Sequence, residues 1–383
     1  MLTRTFFIAS LLICGLITSA QKSAKLETKT ISSSFNYYGT LFSTDAQSGK
    51  LNPLSDTAKT AVYTGALWLW GLDSANNSVT AVQTFPHQTT GAPKTDFSAG
   101  PVATNYVDSA RKAKYERLWK LSLDEINTHK NNYNTPGYTA PLEILEWPAH
   151  GDTSNGESWR LAPFADLNGN ELYEPQAGEY PVIRGDEAIY MIFNDAYRPN
   201  YQSPSTLKME VHLMAFIYDD STQAMQNTVF LAYRIINRSG KDLTHFKAAL
   251  FLDYDLGNGL NDLGGSDSLT NLAYVYNASN RDDGANGFGL NPPAAGAKSL
   301  GGQAAGALFY ENNSQFTGNP STAMEYANLI QLKWKNGLPL VLENPSGLGA
   351  TQNGDGYAPG GTPTTSWHYN ESENWYANPN NFK

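Results

Sequence analysis

From Leu207 the chain alternates strictly. Met209, Val211, Leu213, Ala215 and Ile217 fall on one face, while Lys208, Glu210 and His212 begin the other. A period of two belongs to a strand with one buried side, so this segment must enter a sheet. The runs Thr228 to Ile236 and Phe246 to Leu252 repeat the pattern around the turn chemistry of Asn237 to Lys241, which predicts an antiparallel hairpin. In the second run Phe246, Ala248, Leu250 and Leu252 are expected to be buried. Earlier, Thr60 to Asp73 reads as an aromatic strand with Ala66, Trp68 and Trp70 on one face, followed by a short partner at Ser78 to Gln83.

The composition fits the same picture, with 22 Tyr, 16 Phe and 8 Trp beside 33 Gly and 20 Pro. These are the residues of aromatic strands joined by turns. One helix is predicted near Ser122 to Lys130, where Ser122 and Glu125 have the spacing of a capping box. The expected fold is all-β, with an antiparallel β-sandwich core, at most a few short helices, and long Gly/Asn/Pro-rich surface loops at 277–306 and 344–365. A boundary at the Pro199 to Pro204 loop would divide the chain into 21–200 and 201–383, unless the two form one continuous domain.

Residues 1–20 have the layout of a cleavable export signal: Arg4, an apolar run, then Ser19 and Ala20 ahead of a polar segment. Cys14 is the only cysteine and would leave with it, which excludes disulfides, thiolate metal sites and a cysteine nucleophile from the mature chain. No later segment is apolar for long enough to predict a transmembrane helix. The formal charge of −10 argues against nucleic acid or an anionic membrane as partner. The expected location is extracellular or on the outer-membrane surface.

Candidate chemistry gathers in two acidic loops. Asp166, Asn168 and Asn170 place oxygen ligands at alternate residues, with the Leu172 carbonyl next, which is a spacing suited to calcium. The usual glycine at position six is Glu171 and the twelfth residue is Ala177, so Glu174, Glu179 or Asp186 would have to close the shell. An Asx-rich turn that holds its own backbone is the alternative. The second cluster joins Asp253 and Asp255 with Asp262 or Asp267, because neighbouring carboxylates call for a cation or a proton. The alternative there is a solvated strand end. Glu143, Glu146, His150, Asp152 and Glu157 lie near Trp147 and Trp159 and offer a polysaccharide hydrolase as the second functional class, which would use two opposed carboxyls from this loop or from the 253–267 strand end.

The runs GALWLWGLD, LEWPAHGDTSNG, LAPFADLNGNELYEPQAGEYPVIRGDEAIYMIFND, MEVHLMAFIYD, NTVFLAYRIINRSGKDL and FLDYDLGN carry a resemblance. Together they resemble the N-terminal region of large secreted Bacteroidetes proteins that usually end in a type A sorting domain read by the type IX secretion system. The likeness spans roughly 35–375 and is most specific over 143–195. It implies a partnership with the type IX machinery and display on, or release from, the cell surface. It implies no particular activity. Without a sorting domain before Lys383, the chain is expected to be part of a longer protein, with Trp367, Trp375 and Tyr376 in a loosely packed end. The expected function is a calcium-stabilised, non-catalytic module for adhesion, surface structure or binding of an extracellular glycan or protein.

Overall fold

The computed structural model describes residues 21–44, 51–84, 95–197, 205–219, 222–267, 270–301, 306–310 and 319–337, with the backbone alone of 368–370 and 375–377. The export segment, the 199–204 boundary, the 344–365 loop and Trp367 lie outside those residues.

The runs EAIYMIFN and MEVHLMAFI form the strands Glu187–Asn194 and Met209–Ile217, paired antiparallel from Glu187 opposite Ile217 to Asn194 opposite Glu210. Successive side chains point to opposite faces. Ile189, Met191, Phe193, Val211, Leu213 and Ala215 therefore enter one apolar cluster, while Ala188, Tyr190, Ile192, Met214 and Phe216 enter another. Phe230–Asn237 extends this sheet past Met209–Ile217, and Ser98–Ala99 and Trp119–Ser122 pair with Glu187–Asn194.

In the other main sheet Thr64–Leu72 lies between Thr244–Asp253 and Ser78–Ala81. Bridges from Leu41 to Gly65 and from Leu51 to Val62 tie it to the ladder of Ser23–Glu27, Ile31–Asn36 and Leu51–Pro53. Leu67 and Leu69 share the apolar cluster of Ile189 and Leu213, so one core draws on both sheets. Ala66, Trp68 and Trp70 point the other way, against the helix Ala323–Ile330. There Trp68 stacks on Phe251 at 4.8 Å and meets Tyr326 edge-on at 4.9 Å. Each such fully buried large side chain stabilises the fold by about 1.5–3 kcal/mol.

The all-β class stands, and the helix starting after Ser122 spans Leu123–Asn132 with its capping box intact. Several expectations need correction. Met209–Ile217 is buried along its whole length, because Tyr115, Trp119, Ile144, Trp147 and Leu161 cover its second face. The expected hairpin does not form. Phe230–Asn237 pairs with Met209–Ile217 while Thr244–Asp253 pairs with Thr64–Leu72, so the turn at Asn237–Lys241 carries the chain from one sheet to the other.

Phe246 and Leu250 are 38% and 40% exposed, and Ala248 is exposed too. Their strand ends its sheet, and only Leu252 from this face reaches the shared core. The stretch expected to be a loop from 277 contains the strand Ala294–Lys298, paired with Leu272–Asn277. Strands from either side of residue 200 thus share both main sheets. The segments His368–Asn370 and Trp375–Ala377 pair with each other, and the first also pairs with Leu263–Gly265.

Candidate functional site

The segment 166–179 hangs from a two-residue neck in which Phe164 pairs with Pro181 and Ala165 with Tyr180. Glu179 is fully buried and closes the base: its carboxylate accepts the Leu167 N–H at 3.0 Å and the Glu174 N–H at 2.8 Å. Above it the oxygen series folds on its own backbone. Gly169 and Glu171 N–H donate to the two Asp166 oxygens at 2.7 and 2.9 Å, Asn170 N–H donates to Asn168, and Leu172 N–H donates to Asn170.

The Asn168 and Asn170 amides both donate to one Glu174 oxygen, at 2.9 and 2.6 Å. These bonds hold the Asp166 and Glu174 carboxyls below their ordinary range, led by the Glu171 N–H for Asp166 and the Asn168 amide for Glu174. Asp166, Asn168, Asn170 and Glu174 are therefore brought together, Glu179 sits beneath them, and Leu172 contributes the next backbone unit. Each oxygen that accepts one N–H keeps lone-pair capacity for a cation. Asp186 serves elsewhere, accepting the Asp219 N–H at 2.7 Å.

At the second cluster the strand ends at Asp253 and the chain turns. Burial, aided by the neighbouring Asp255 charge, pushes the Asp253 carboxyl up to about 7, and burial raises Asp255. Asp262 accepts the Leu256 N–H at 3.0 Å, which places it on the same turn. Asp267 lies at the opposite end of the strand Asp262–Asp267 and accepts the Thr270 hydroxyl. Five residue steps separate it from Asp262 by about 17 Å, too far to share one ion. Two residues that sequence reasoning missed do reach this turn. Asp282 accepts the Asn258 N–H, and Asn277 stands directly opposite Asp262 in the ladder. Both lie in the stretch read as surface loop.

The catalytic candidates are engaged in the fold. Glu157 is buried, bound by Arg111 Nε at 3.1 Å, the Tyr115 hydroxyl at 2.6 Å and the Asp152 N–H at 2.9 Å. Glu143 and Glu146 pair with Arg117. Asp152 caps the turn Thr153–Asn155, and its bond from the Ser154 hydroxyl lowers its carboxyl. His150 stacks on Trp159 at 4.0 Å and accepts the Tyr173 N–H on Nε2, while burial lowers its pKa. Beside these groups Asp108, Arg111, Lys114 and Asp152 line a cleft of about 490 Å³.

A further buried network carries no sequence signature. Glu210 accepts from His212 Nε2 at 3.0 Å and from Arg238 Nη2 at 2.6 Å, and its other oxygen accepts the Val102 N–H at 2.9 Å. The Tyr190 hydroxyl completes it on His212 Nδ1 at 2.5 Å. Burial opposes ionisation of Glu210, yet the bonds from His212 and Arg238 bring its carboxyl down to about 2.

Comparison with protein-family models, with curated proteins and with solved structures finds no match to this chain. Among the described residues no helix is long and apolar enough to cross a membrane.

Proposed function

We propose that this chain is a non-catalytic extracellular module that takes up calcium in its acidic loops and acts in adhesion, surface structure or the binding of a glycan or protein. One observation carries the reading: Asp166, Asn168, Asn170 and Glu174 converge in a single loop whose neck and buried Glu179 hold it in shape. A cation there would turn a set of mutually compensating side chains into a rigid shell. The non-catalytic part is supported by the engagement of Glu157, Glu143, Glu146 and Asp152 in ion pairs and caps. Within the 143–157 loop a glycosidase would need one carboxyl kept protonated and a second one opposite it, whereas Asp152 is shifted toward the ionised form. Export through the type IX machinery belongs to the same reading and rests on the sequence resemblance.

The test is metal analysis of the purified chain together with melting curves in calcium and in chelator. Calcium should raise the melting temperature, and Asp166→Ala should reduce both the rise and the bound metal. A variant that keeps the full rise would defeat the loop assignment.

A further inference from the structure

The turn after Thr244–Asp253 is built so that a carboxylate can press against its backbone. Gly257 has φ +72°, and a Cβ there would stand 2.1 Å from Asp282 Oδ2, so only glycine fits beside that carboxylate. Asp282 Oδ2 accepts the Phe288 N–H at 2.7 Å and the Asn258 N–H at 3.4 Å. Among the described residues none donates to its Oδ1, although the residue is only 1% exposed.

Asn277 repeats this condition at 7% exposure. Its amide group donates to the Ser279 and Arg281 carbonyls at 2.8 and 3.2 Å, which fixes the orientation of the side chain and leaves Oδ1 without a donor. The Asn261 Oδ1 is likewise buried without one.

The residues that carry these oxygens meet at one corner of the fold. Asn277 faces Asp262 across the antiparallel ladder, so their side chains leave on the same face with Cα atoms about 4.5–5.5 Å apart. Asn261 is joined to the same corner through the bond from Ala278 N–H to its carbonyl. The bond from Asn277 to the Arg281 carbonyl draws the residue before Asp282 toward it. Asp262 in turn holds Leu256 N–H, next to the Gly257 that Asp282 touches.

We infer that Asp262 and Asp282, with the amide oxygens of Asn261 and Asn277, form a divalent-cation site that takes calcium. The inference rests on the calcium reading of the preceding section and shares Asp262 with its second cluster, but uses none of the residues of the Asp166 loop. A buried acceptor without a donor costs about 1–3 kcal/mol, and more when it is charged. One water donates two hydrogens and cannot serve three such acceptors, whereas one cation meets all of them. The donor set is entirely oxygen, which favours a hard cation over zinc or copper. Among the described residues no three His, Cys, Asp or Glu side chains gather as metal ligands. The shell therefore consists of two carboxylates completed by neutral amide oxygens, both ordinary calcium ligands.

The experiment compares calcium content per chain, after equilibrium dialysis, for the unmodified protein, Asp282→Asn and Asp166→Ala. Hydrogen exchange over 254–290 is measured on the unmodified protein in calcium and in chelator. Asp282→Asn should lose one bound calcium that Asp166→Ala retains, and chelator should speed exchange of the Leu256, Asn258 and Phe288 amides by about tenfold or more. An Asp282→Asn protein with unchanged calcium content overturns the inference and leaves the Asp166 loop untouched. Loss of calcium only in Asp282→Asn would instead remove the loop reading and keep this one. Should Asp282→Asn fail to fold, the unmodified protein decides, since exchange that is equal in calcium and chelator overturns the site.

Discussion

Two buried polar clusters differ in one respect: around Glu210 every carboxylate oxygen meets a donor, and around Asp282 only some of the acceptors do. Glu210 is fully buried, yet both its oxygens are bound by His212, Arg238 and the Val102 N–H. Asp282 and Asn277 are almost as buried, and each keeps an oxygen that no donor among the described residues reaches. The first arrangement is closed by Arg238, His212 and a backbone amide of the chain itself, so it serves the fold. The second leaves buried carboxyl and amide oxygens at one corner of the fold without a donor among the described residues, a condition that a bound cation would relieve.

The largest effect should come from breaking the closed cluster. Glu210→Ala strands Arg238 and His212 beside a buried gap and should cost about 3–5 kcal/mol in chemical denaturation. The loss should be the same in calcium and in chelator. A calcium-dependent loss would erase the contrast between the clusters.

Calcium should act on the open sites alone. At free calcium 100 times the dissociation constant, one site should stabilise the chain by about 2.7 kcal/mol, read as the difference between denaturation curves in calcium and chelator. Glu210→Gln should leave that difference in place.

Acid tests the closed cluster from another side. The Glu210 carboxyl is depressed to about 2 in the folded chain, so its stabilisation is present above the unfolded carboxylate range near 4.5 and is lost as pH falls toward 2. A loss of about 3 kcal/mol is expected across that window, and Glu210→Gln should flatten this part of the profile. A profile of unchanged steepness would show that other carboxylates drive acid unfolding.

Helix caps set the scale for an ordinary polar contact. Ser122→Ala and Thr322→Ala each remove a capping box at a solvent-facing helix start, and each should cost about 1 kcal/mol in a melting or denaturant series. If either cap cost as much as Glu210→Ala, burial would not be what separates the closed cluster from the rest.

Much of this molecule was legible from local pattern. Alternation placed the strands at Thr64–Leu72 and Met209–Ile217 and the shared face of Ala66, Trp68 and Trp70, and the Ser122-x-x-Glu125 signature placed a helix. The same signature at Thr322-x-x-Glu325 could have found the helix Ala323–Ile330. The alternating oxygens of Asp166, Asn168 and Asn170 likewise marked a loop, and the bonds these side chains make to Glu171 and Glu174 are local enough for the sequence to place them together.

Tertiary structure decided what alternation cannot encode: which strand pairs with which, and what covers the second face. The pattern at Glu210 and His212 looked solvent-facing, but the layer containing Trp119 and Trp147 buries that face, and Arg238 arrives from another strand's end to pair with Glu210. The turn at Asn237–Lys241 had hairpin residues but changes sheets, since hydrogen-bond partners are chosen by packing across the core and not by the turn alone. Asp282 and Asn277 meet the Asp262 corner only because a strand ladder returns them to it, some 15 to 20 residues downstream. Contacts made by such returns depend on where strands pair, so the local sequence around Asp253 specified the carboxylates and the folded chain supplied their company.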